Sequence, residues 1–216
     1  MGEKSKSKEI LEWVYCILIA IVIVLLIKSF IGVPTVVKQS SMYPTLKQNE
    51  RLWLNRWGAN FNKIPERGDV ITFEAPTTGQ VDINHIDYSN PVAPYDYNPN
   101  SIFSKFVYNV LEIGKVSYIK RVVGLPGEHV QIKEGSVYIN GEKLEEDYLQ
   151  DTVVTESLGG LFTDIVVPEN CVYVLGDNRP ESKDSRSFGC IPVERIESKA
   201  VFRFWPLNKI GGLVAK

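Results

Sequence analysis

Residues 116–144, VSYIKRVVGLPGEHVQIKEGSVYINGEKL, decide the fold class, because they hold short runs of β-branched and aromatic residues separated by turn residues. Such runs predict β-strands. The dipeptide Asn140-Gly141 is the strongest short-range signal for a β-hairpin. Similar runs lie elsewhere in the chain: RLWLN (51–55), DVITFE (69–74), CVYVLGD (171–177) and AVFRFW (200–205). The sequence therefore predicts a mainly β domain with antiparallel pairing. It contains no glycine-rich nucleotide loop and no strand–helix alternation, which argues against an α/β fold.

The N-terminal part has a different composition. Residues 13–27, WVYCILIAIVIVLLI, carry no charge, and the apolar run resumes after Lys28. Fifteen residues are too few to cross a bilayer, but the run from Trp13 to Val33 is long enough if the Lys28 ammonium reaches the headgroups. We expect a transmembrane helix over 13–33. A cleaved signal peptide and a buried core helix are the alternatives, although no small-x-small cleavage pattern follows the run.

Charge and cysteine content exclude several function classes. The formal net charge of the 216 residues is -2, and no basic stripe or nucleic-acid-binding motif is present, which argues against a DNA or RNA partner. The three cysteines are too few and too scattered for a disulfide framework or a zinc site.

One segment interrupts the strand pattern. Residues 75–100 are rich in Pro, Asn, Asp and Tyr and predict an irregular loop. The following SIFSKFVYNVLEI (101–113) has apolar residues at helical spacing, with Ser101 as a candidate N-cap. We expect a helix that packs on the β domain or, alternatively, lies on a membrane or on a client protein.

The stretch SSMYPTL (40–46) contains two adjacent candidate nucleophiles, and a serine needs a base to remove its proton. The chain has two histidines, His85 and His129, and no carboxylate motif frames either of them. A lysine whose pKa is lowered by burial is the other base available to a serine. Lys120 lies within an apolar strand, but alternation with Arg121 does not decide which of the two side chains points inward.

Several segments together carry a resemblance to bacterial type I signal peptidases, especially the smaller single-span members of Gram-positive bacteria. They occur in the family's order: SSMYPTL (40–46), GDVITF (68–73), YIKRVVGLPGE (118–128), VYINGEKL (137–144), GDNRPESKDSRSFG (176–189) and AVFRFWP (200–206). The resemblance implies that Ser41, directly before Met42, is the nucleophile. It also implies that Lys120 is the general base.

The same resemblance assigns five supporting residues: Arg121, Asp177, Ser182, Asp184 and Arg186. The first two are expected to form an ion pair, as are the last two, and the hydroxyl of Ser182 is expected to hold the lysine amine. The N–H of Ser41 is the expected first oxyanion donor. Some family members have a serine as the second donor where this chain has Gln39, so the amide of Gln39 would have to substitute.

The resemblance also implies a shallow apolar cleft for small residues before the cut. The matching positions are Val37, Met42, Leu46, Tyr118 and Ile119, for which plain core packing is the alternative. No metal or cofactor is required. The expected substrates and partners are the signal peptides of exported preproteins, with the lipid bilayer and the secretion translocon as further partners.

The family's topology implies a single-pass protein of the cell membrane, with residues 1–12 cytoplasmic and 34–216 extracytoplasmic, an orientation that the lysine and arginine distribution leaves open. The insertion over 75–116 departs from the short link of small members. We expect it to select particular clients, such as pilin subunits, or else to be a decorative loop. Rival functions are a self-cleaving repressor, a non-catalytic assembly factor, and a sortase-like transpeptidase using Cys171 and His129.

Overall fold

A computed structural model describes residues 6–77, 90–98, 100–150, 152–157 and 161–213. Helix α1 spans Lys6–Leu26 and continues as a π-helical turn, Ile27–Ile31. Its stretch Lys8–Ile31 has a mean hydropathy of 3.0, is not buried by the rest of the chain, and is long and apolar enough to cross a membrane. The helix begins before the expected Trp13, and it ends before Val33 because a strand begins at Gly32.

The described residues form twelve strands: β1 Gly32–Val36, β2 Arg51–Asn55, β3 Val70–Glu74, β4 Ser117–Gly124, β5 His129–Lys133, β6 Ser136–Ile139, β7 Glu142–Lys143, β8 Asp164–Val166, β9 Cys171–Leu175, β10 Ile191–Pro192, β11 Ile196–Trp205 and β12 Gly211–Gly212. The larger sheet has the order β1-β2-β11-β3-β4-β9-β10, with β12 paired to β11, and the smaller has the order β7-β6-β5-β8. The pairs of named strands are antiparallel, so the predicted fold class is confirmed.

The predicted hairpin joins β6 to β7. Asn140 and Gly141 have φ values of 52° and 87°. Positive φ at both central positions is what a two-residue type I′ turn requires, and asparagine and glycine adopt it most easily. The hairpin prediction is therefore confirmed, with its physical reason.

The core lies in three clusters, and one of them supports the stretch that carries Ser41. Val37, Met42 and Leu46 are buried in that cluster together with residues of β2 and β3. Each fully buried apolar side chain of this size stabilises the fold by about 1.5–3 kcal/mol. The residues on both sides of Ser41 are thus fixed by packing.

Three short α-helices also lie in the described residues: α2 Trp57–Asn60, α3 Ile102–Asn109 and α4 Ser185–Phe188. The prediction of a helix capped by Ser101 is confirmed, since its side chain accepts from Ser104 N–H. Helix α3 is held by Tyr108, whose hydroxyl donates to Glu74 Oε1 at 2.8 Å, whereas Phe103 and Phe106 are exposed. The apolar face is therefore only partly packed on the β domain. Half of the predicted loop, including His85, lies outside the described residues.

Candidate active site

Ser41 and Lys120 come from distant parts of the chain and meet beside the larger sheet. Ser41 lies in the turn after β1, and Lys120 lies in the middle of β4. The Nζ atom of Lys120 is 2.6 Å from Ser41 Oγ. Both side chains are buried, with Lys120 only 1% exposed. Arg121 is also 1% exposed, so both faces of β4 are covered and strand alternation could not have shown which residue points inward.

The environment of Lys120 favours the neutral amine. Burial lowers its pKa from 10.5 to about 8, against the opposing effect of the carboxylates of Asp184 and Asp177. The Nζ also donates to the carbonyl of Ile119 at 3.1 Å. When the amine is neutral, its lone pair can accept the proton of the Ser41 hydroxyl across the short contact.

The loop after β9 holds the backbone of the serine stretch. Asn178 N–H donates to the Ser41 carbonyl at 3.0 Å, and Asn178 Nδ2 donates to the Ser40 carbonyl at 3.3 Å. A Cβ on Gly176 would lie 2.5 Å from the Ser41 carbonyl oxygen, so only glycine allows this approach. Both Gly176 and Asn178 stand in the GDNR segment, but no local sequence pattern predicts their contact with the serine stretch.

Two buried ion pairs brace this loop. Arg121 donates to both oxygens of Asp177, at 2.9 and 2.7 Å, and to the carbonyl of Gly68 at 2.8 Å. Arg186 donates to both oxygens of Asp184, each at 2.8 Å. The structure brings together the members of both expected pairs. Because each pair is bidentate, neither buried charge lacks a partner.

A third buried arginine was missed from the sequence. Arg179 donates to the carboxylate of Glu146, with one contact of 2.9 Å, and to the carbonyl of Gly176 at 3.1 Å. The ring of Tyr148 stacks on Arg121, with the guanidinium carbon 3.9 Å from the ring centroid. The segment after β7 is thereby tied to the loop that holds Ser41. The arginine of GDNR was visible, but its partner 33 residues away carried no sequence signal.

Ser182 differs from the expectation. Its Oγ is buried and has no hydrogen-bond partner among the described residues, so the expected contact with the Lys120 amine is not formed. The amine instead contacts Ser41 and the Ile119 carbonyl. Ser182 nevertheless lies in the same loop after β9 as Gly176, and a Cβ on Gly176 would collide with its hydroxyl.

A cleft of about 390 Å³ opens on the serine–lysine pair. Its lining residues are Lys38, Gln39, Ser40, Ser41, Gln48, Tyr118, Lys120, Glu181 and Lys183. Of the expected substrate-contacting residues, Tyr118 lines this cleft. Gln39, the expected second oxyanion donor, also lines it and is exposed.

Three of the other four expected residues (Val37, Met42 and Leu46) are buried in the core cluster that underlies Ser41, and Ile119 is half-buried and packs against that cluster. Burial in that cluster is the packing alternative stated above.

Three further features concern the site and its surroundings. The N–H of Ser41 donates to no described residue, which leaves it available to an oxyanion. Within the described ranges, no group of three or more His, Cys, Asp or Glu side chains could hold a metal ion. Cys171 and Cys190 are free thiols buried in one core cluster.

A serine in contact with a buried lysine has the geometry of an activated nucleophile, and the comparisons that follow identify the chain as a serine endopeptidase. The sequence pattern of one family, described as "Signal peptidase, peptidase S26", matches residues 10–205. The chain therefore belongs to the signal peptidase family, peptidase S26.

Relatives named as signal peptidases agree with this family. Signal peptidase I T of Bacillus subtilis (strain 168) is 34% identical over 213 residues, covering 96% of this chain and 91% of the relative. Signal peptidase IB of Staphylococcus aureus (strain COL) is 34% identical over 216 residues, covering 94% and 93%. The crystal structure of a signal peptidase I from Enterococcus faecalis V583 is 28% identical, with a TM-score of 0.40, over 63% of this chain and 97% of that one.

Proposed function

We propose that this enzyme removes N-terminal signal peptides from exported preproteins, with Ser41 as the nucleophile and Lys120 as the general base. The observation that carries the proposal is the 2.6 Å contact between Lys120 Nζ and Ser41 Oγ, in a site where Lys120 is fully buried. The relatives named signal peptidases, which match most of the chain, support the choice of substrate.

The reaction proceeds through an acyl-enzyme. Neutral Lys120 accepts the hydroxyl proton as Ser41 Oγ attacks the carbonyl of the last signal-peptide residue. The resulting ammonium then protonates the leaving amine of the mature protein. Lys120, neutral again, takes a proton from the water that hydrolyses the ester on Ser41, and the free hydroxyl is restored.

The oxyanion of the tetrahedral intermediate is held by the N–H of Ser41, and the side-chain amide of Gln39 is the second donor. The free N–H of Ser41 and the exposed position of Gln39 in the cleft support this assignment. Ser182, whose Oγ lacks a described partner, accepts a hydrogen from Lys120 once the amine becomes an ammonium. Arg121, Asp177, Asp184 and Arg186 position the loop and do not react.

Substrates are cut beside the bilayer. In this proposal residues 1–12 are cytoplasmic, the apolar helix from Trp13 to Ile31 spans the membrane, and the β domain that begins at Gly32 lies outside, where the translocon delivers preproteins. The exposed apolar helix Lys8–Ile31 supports the anchor. Ser41 is ten residues beyond Ile31, so even a fully extended chain would hold it within about 35 Å of the helix end.

The test is cleavage of a purified preprotein with an A-x-A site by the full-length enzyme in detergent micelles. We expect one cut after the second alanine, no cut by Ser41→Ala, and substantial activity in Ser40→Ala. Ser40 is the matched control because it is the adjacent serine and its side chain has no described contact with Lys120. Equal loss of activity in both variants would contradict the assignment of the nucleophile.

The insertion over 75–116 selects clients, such as pilin subunits, rather than taking part in catalysis. The exposure of Phe103 and Phe106 on α3 supports this role, since both rings are available to a protein partner. None of the residues lining the Ser41 cleft comes from the described part of the insertion.

Replacement of 77–115 by a short glycine-containing turn tests the role in the cell. A subset of precursors should accumulate uncleaved while a generic A-x-A peptide is still cut. Glu112→Gln is the control, because this glutamate contacts the N-terminal helix and its loss must be separated from loss of the loop. Unchanged processing of every secreted precursor would contradict client selection.

A further inference from the structure

The C-terminal end of the apolar helix is joined to the β domain by polar contacts. We call residues Lys28–Ile31 the foot of α1. Arg56 N–H donates to the carbonyl of Ile31 at 3.2 Å, Arg56 Nη1 to that of Lys28 at 3.4 Å, and Asn60 Nδ2 to that of Ser29 at 2.8 Å. The last carbonyls of a helix have no partner within the helix. Here residues in and just before α2 supply the donors that water would otherwise provide.

The Lys28 ammonium at the foot also has a carboxylate partner within the protein. Lys28 Nζ lies 3.2 Å from Glu112 Oε2, and the same carboxylate pairs with Arg56. Glu112 belongs to the insertion and has a φ of 58°, an unusual backbone conformation for a glutamate. The sequence had predicted that Lys28 would extend to lipid headgroups, whereas the structure gives it a carboxylate partner 84 residues later.

Large apolar side chains surround this polar junction and are exposed. Trp57 is 60% exposed, Phe61 is 67% exposed, and their ring centroids are 5.4 Å apart. Leu111 and Ile113 flank Glu112 on either side, and Ile113 is 64% exposed. We call these four residues the collar.

The polar and apolar features have one common explanation. Hydrocarbon offers no hydrogen bonds, so helix-end carbonyls and a lysine near it must find partners within the protein. Tryptophan and other apolar side chains are favoured at the interface between lipid and water. The exposed apolar side chains are the feature that water alone does not explain, because neighbouring exposed apolar side chains mark an interaction surface.

We propose that the collar contacts the lipid bilayer around the foot of α1, and that Glu112 of the insertion fixes it there. The inference rests on the membrane anchor of the proposed function and extends it, because it gives the insertion a second contact with the membrane. It also fixes how the β domain stands on the bilayer, since the foot is joined to residues beside the collar by the contacts of Arg56, Asn60 and Glu112.

Spin labels on the full-length protein in liposomes test the proposal. In a Cys16→Ser background, single labels are placed by Ile113→Cys, by Val22→Cys within α1, and by Val166→Cys on the smaller sheet. The remaining two cysteines are buried and resist labelling. Val166 is the matched control, because it is an apolar residue exposed to a similar extent.

The readout is relaxation of each label by oxygen, which concentrates in lipid, and by a water-soluble nickel chelate. We expect the labels at Ile113 and Val22 to respond to oxygen and the label at Val166 to the nickel chelate. A nickel response at Ile113 with an oxygen response at Val22 would overturn the collar and leave the anchor intact. A nickel response at both positions would overturn the anchor as well.

A second variant tests the role of Glu112. Glu112→Gln, combined with the label at Ile113, should raise the response of that label to the nickel chelate, because the carboxylate no longer pairs with Lys28 and Arg56. Glu142→Gln, an exposed glutamate of the smaller sheet, should leave the response unchanged. An unchanged response in Glu112→Gln would show that the ion pairs do not hold the collar against the bilayer.

Discussion

Raising the pH from 6 to 9 should increase kcat/KM steeply, because the proposed mechanism needs Lys120 without its proton. The pKa of Lys120 is lowered by burial to about 8. Each pH unit away from the pKa changes the ratio of neutral to charged amine tenfold, so about 1% of the amine is neutral at pH 6 and about 90% at pH 9. We therefore expect an increase in kcat/KM of roughly 90-fold over this range, with a plateau above pH 9.

The assay is cleavage of a peptide substrate without titrating groups near the cut, at substrate concentrations well below KM, in detergent micelles. Circular dichroism at each pH controls for unfolding. Asp184→Asn sharpens the test: the Asp184 carboxylate raises the pKa of Lys120, so its removal should move the rise to lower pH. A rate independent of pH between 6 and 9, or a shift to higher pH in the variant, would refute the reasoning.

Four further substitutions are predicted. Lys120→Arg should be inactive at every working pH, because a guanidinium keeps its proton; restored cleavage at high pH would argue against a lysine base. Lys120→Met should also be inactive. Below pH 8 its free energy of unfolding in urea should exceed that of the wild type by up to about 3 kcal/mol, because the wild-type protein must bury a charged ammonium. This gain should fade as the pH rises from about 8 to 10.5, because the wild-type lysine loses its proton at lower pH in the folded state than in the unfolded state. Gly176→Ala should abolish cleavage, because the added Cβ would lie 2.5 Å from the Ser41 carbonyl oxygen. An unchanged kcat would contradict this prediction, and a crystal structure of the variant would show how the loop had shifted. Asp177→Ala should destabilise the fold by about 3–5 kcal/mol in urea unfolding, because it leaves the buried Arg121 guanidinium unpaired, and a loss below 1 kcal/mol would mean that water reaches this site.

Local sequence signals predicted much of the fold. The alternating runs gave the strands, Asn140-Gly141 gave the hairpin, and Ser101 gave the start of α3, because each of these depends on residues next to one another in the chain. The ends of α1 were placed less well. Its first turns carry charged residues, and its last residues were assigned to the apolar run although the strand β1 begins at Gly32.

The candidate site depended on contacts between distant residues, which the sequence pattern does not reveal. The burial of both Lys120 and Arg121 requires cover on both faces of β4, by Ser41 on one side and Asp177 on the other. The ion pair of Arg179 with Glu146 likewise joins segments that no local pattern connects. Expected cleft residues such as Met42 lie in the core because the same apolar side chain suits either place.

The most direct test of the central claim is to trap the covalent intermediate. The full-length enzyme is mixed with an ester derived from a signal peptide, quenched in acid during turnover, and mapped by mass spectrometry. We predict an acyl group on Ser41, absent when Lys120→Met is treated in the same way. An acyl group on Ser40, or continued hydrolysis by Ser41→Ala, would contradict the assignment of Ser41 as the nucleophile.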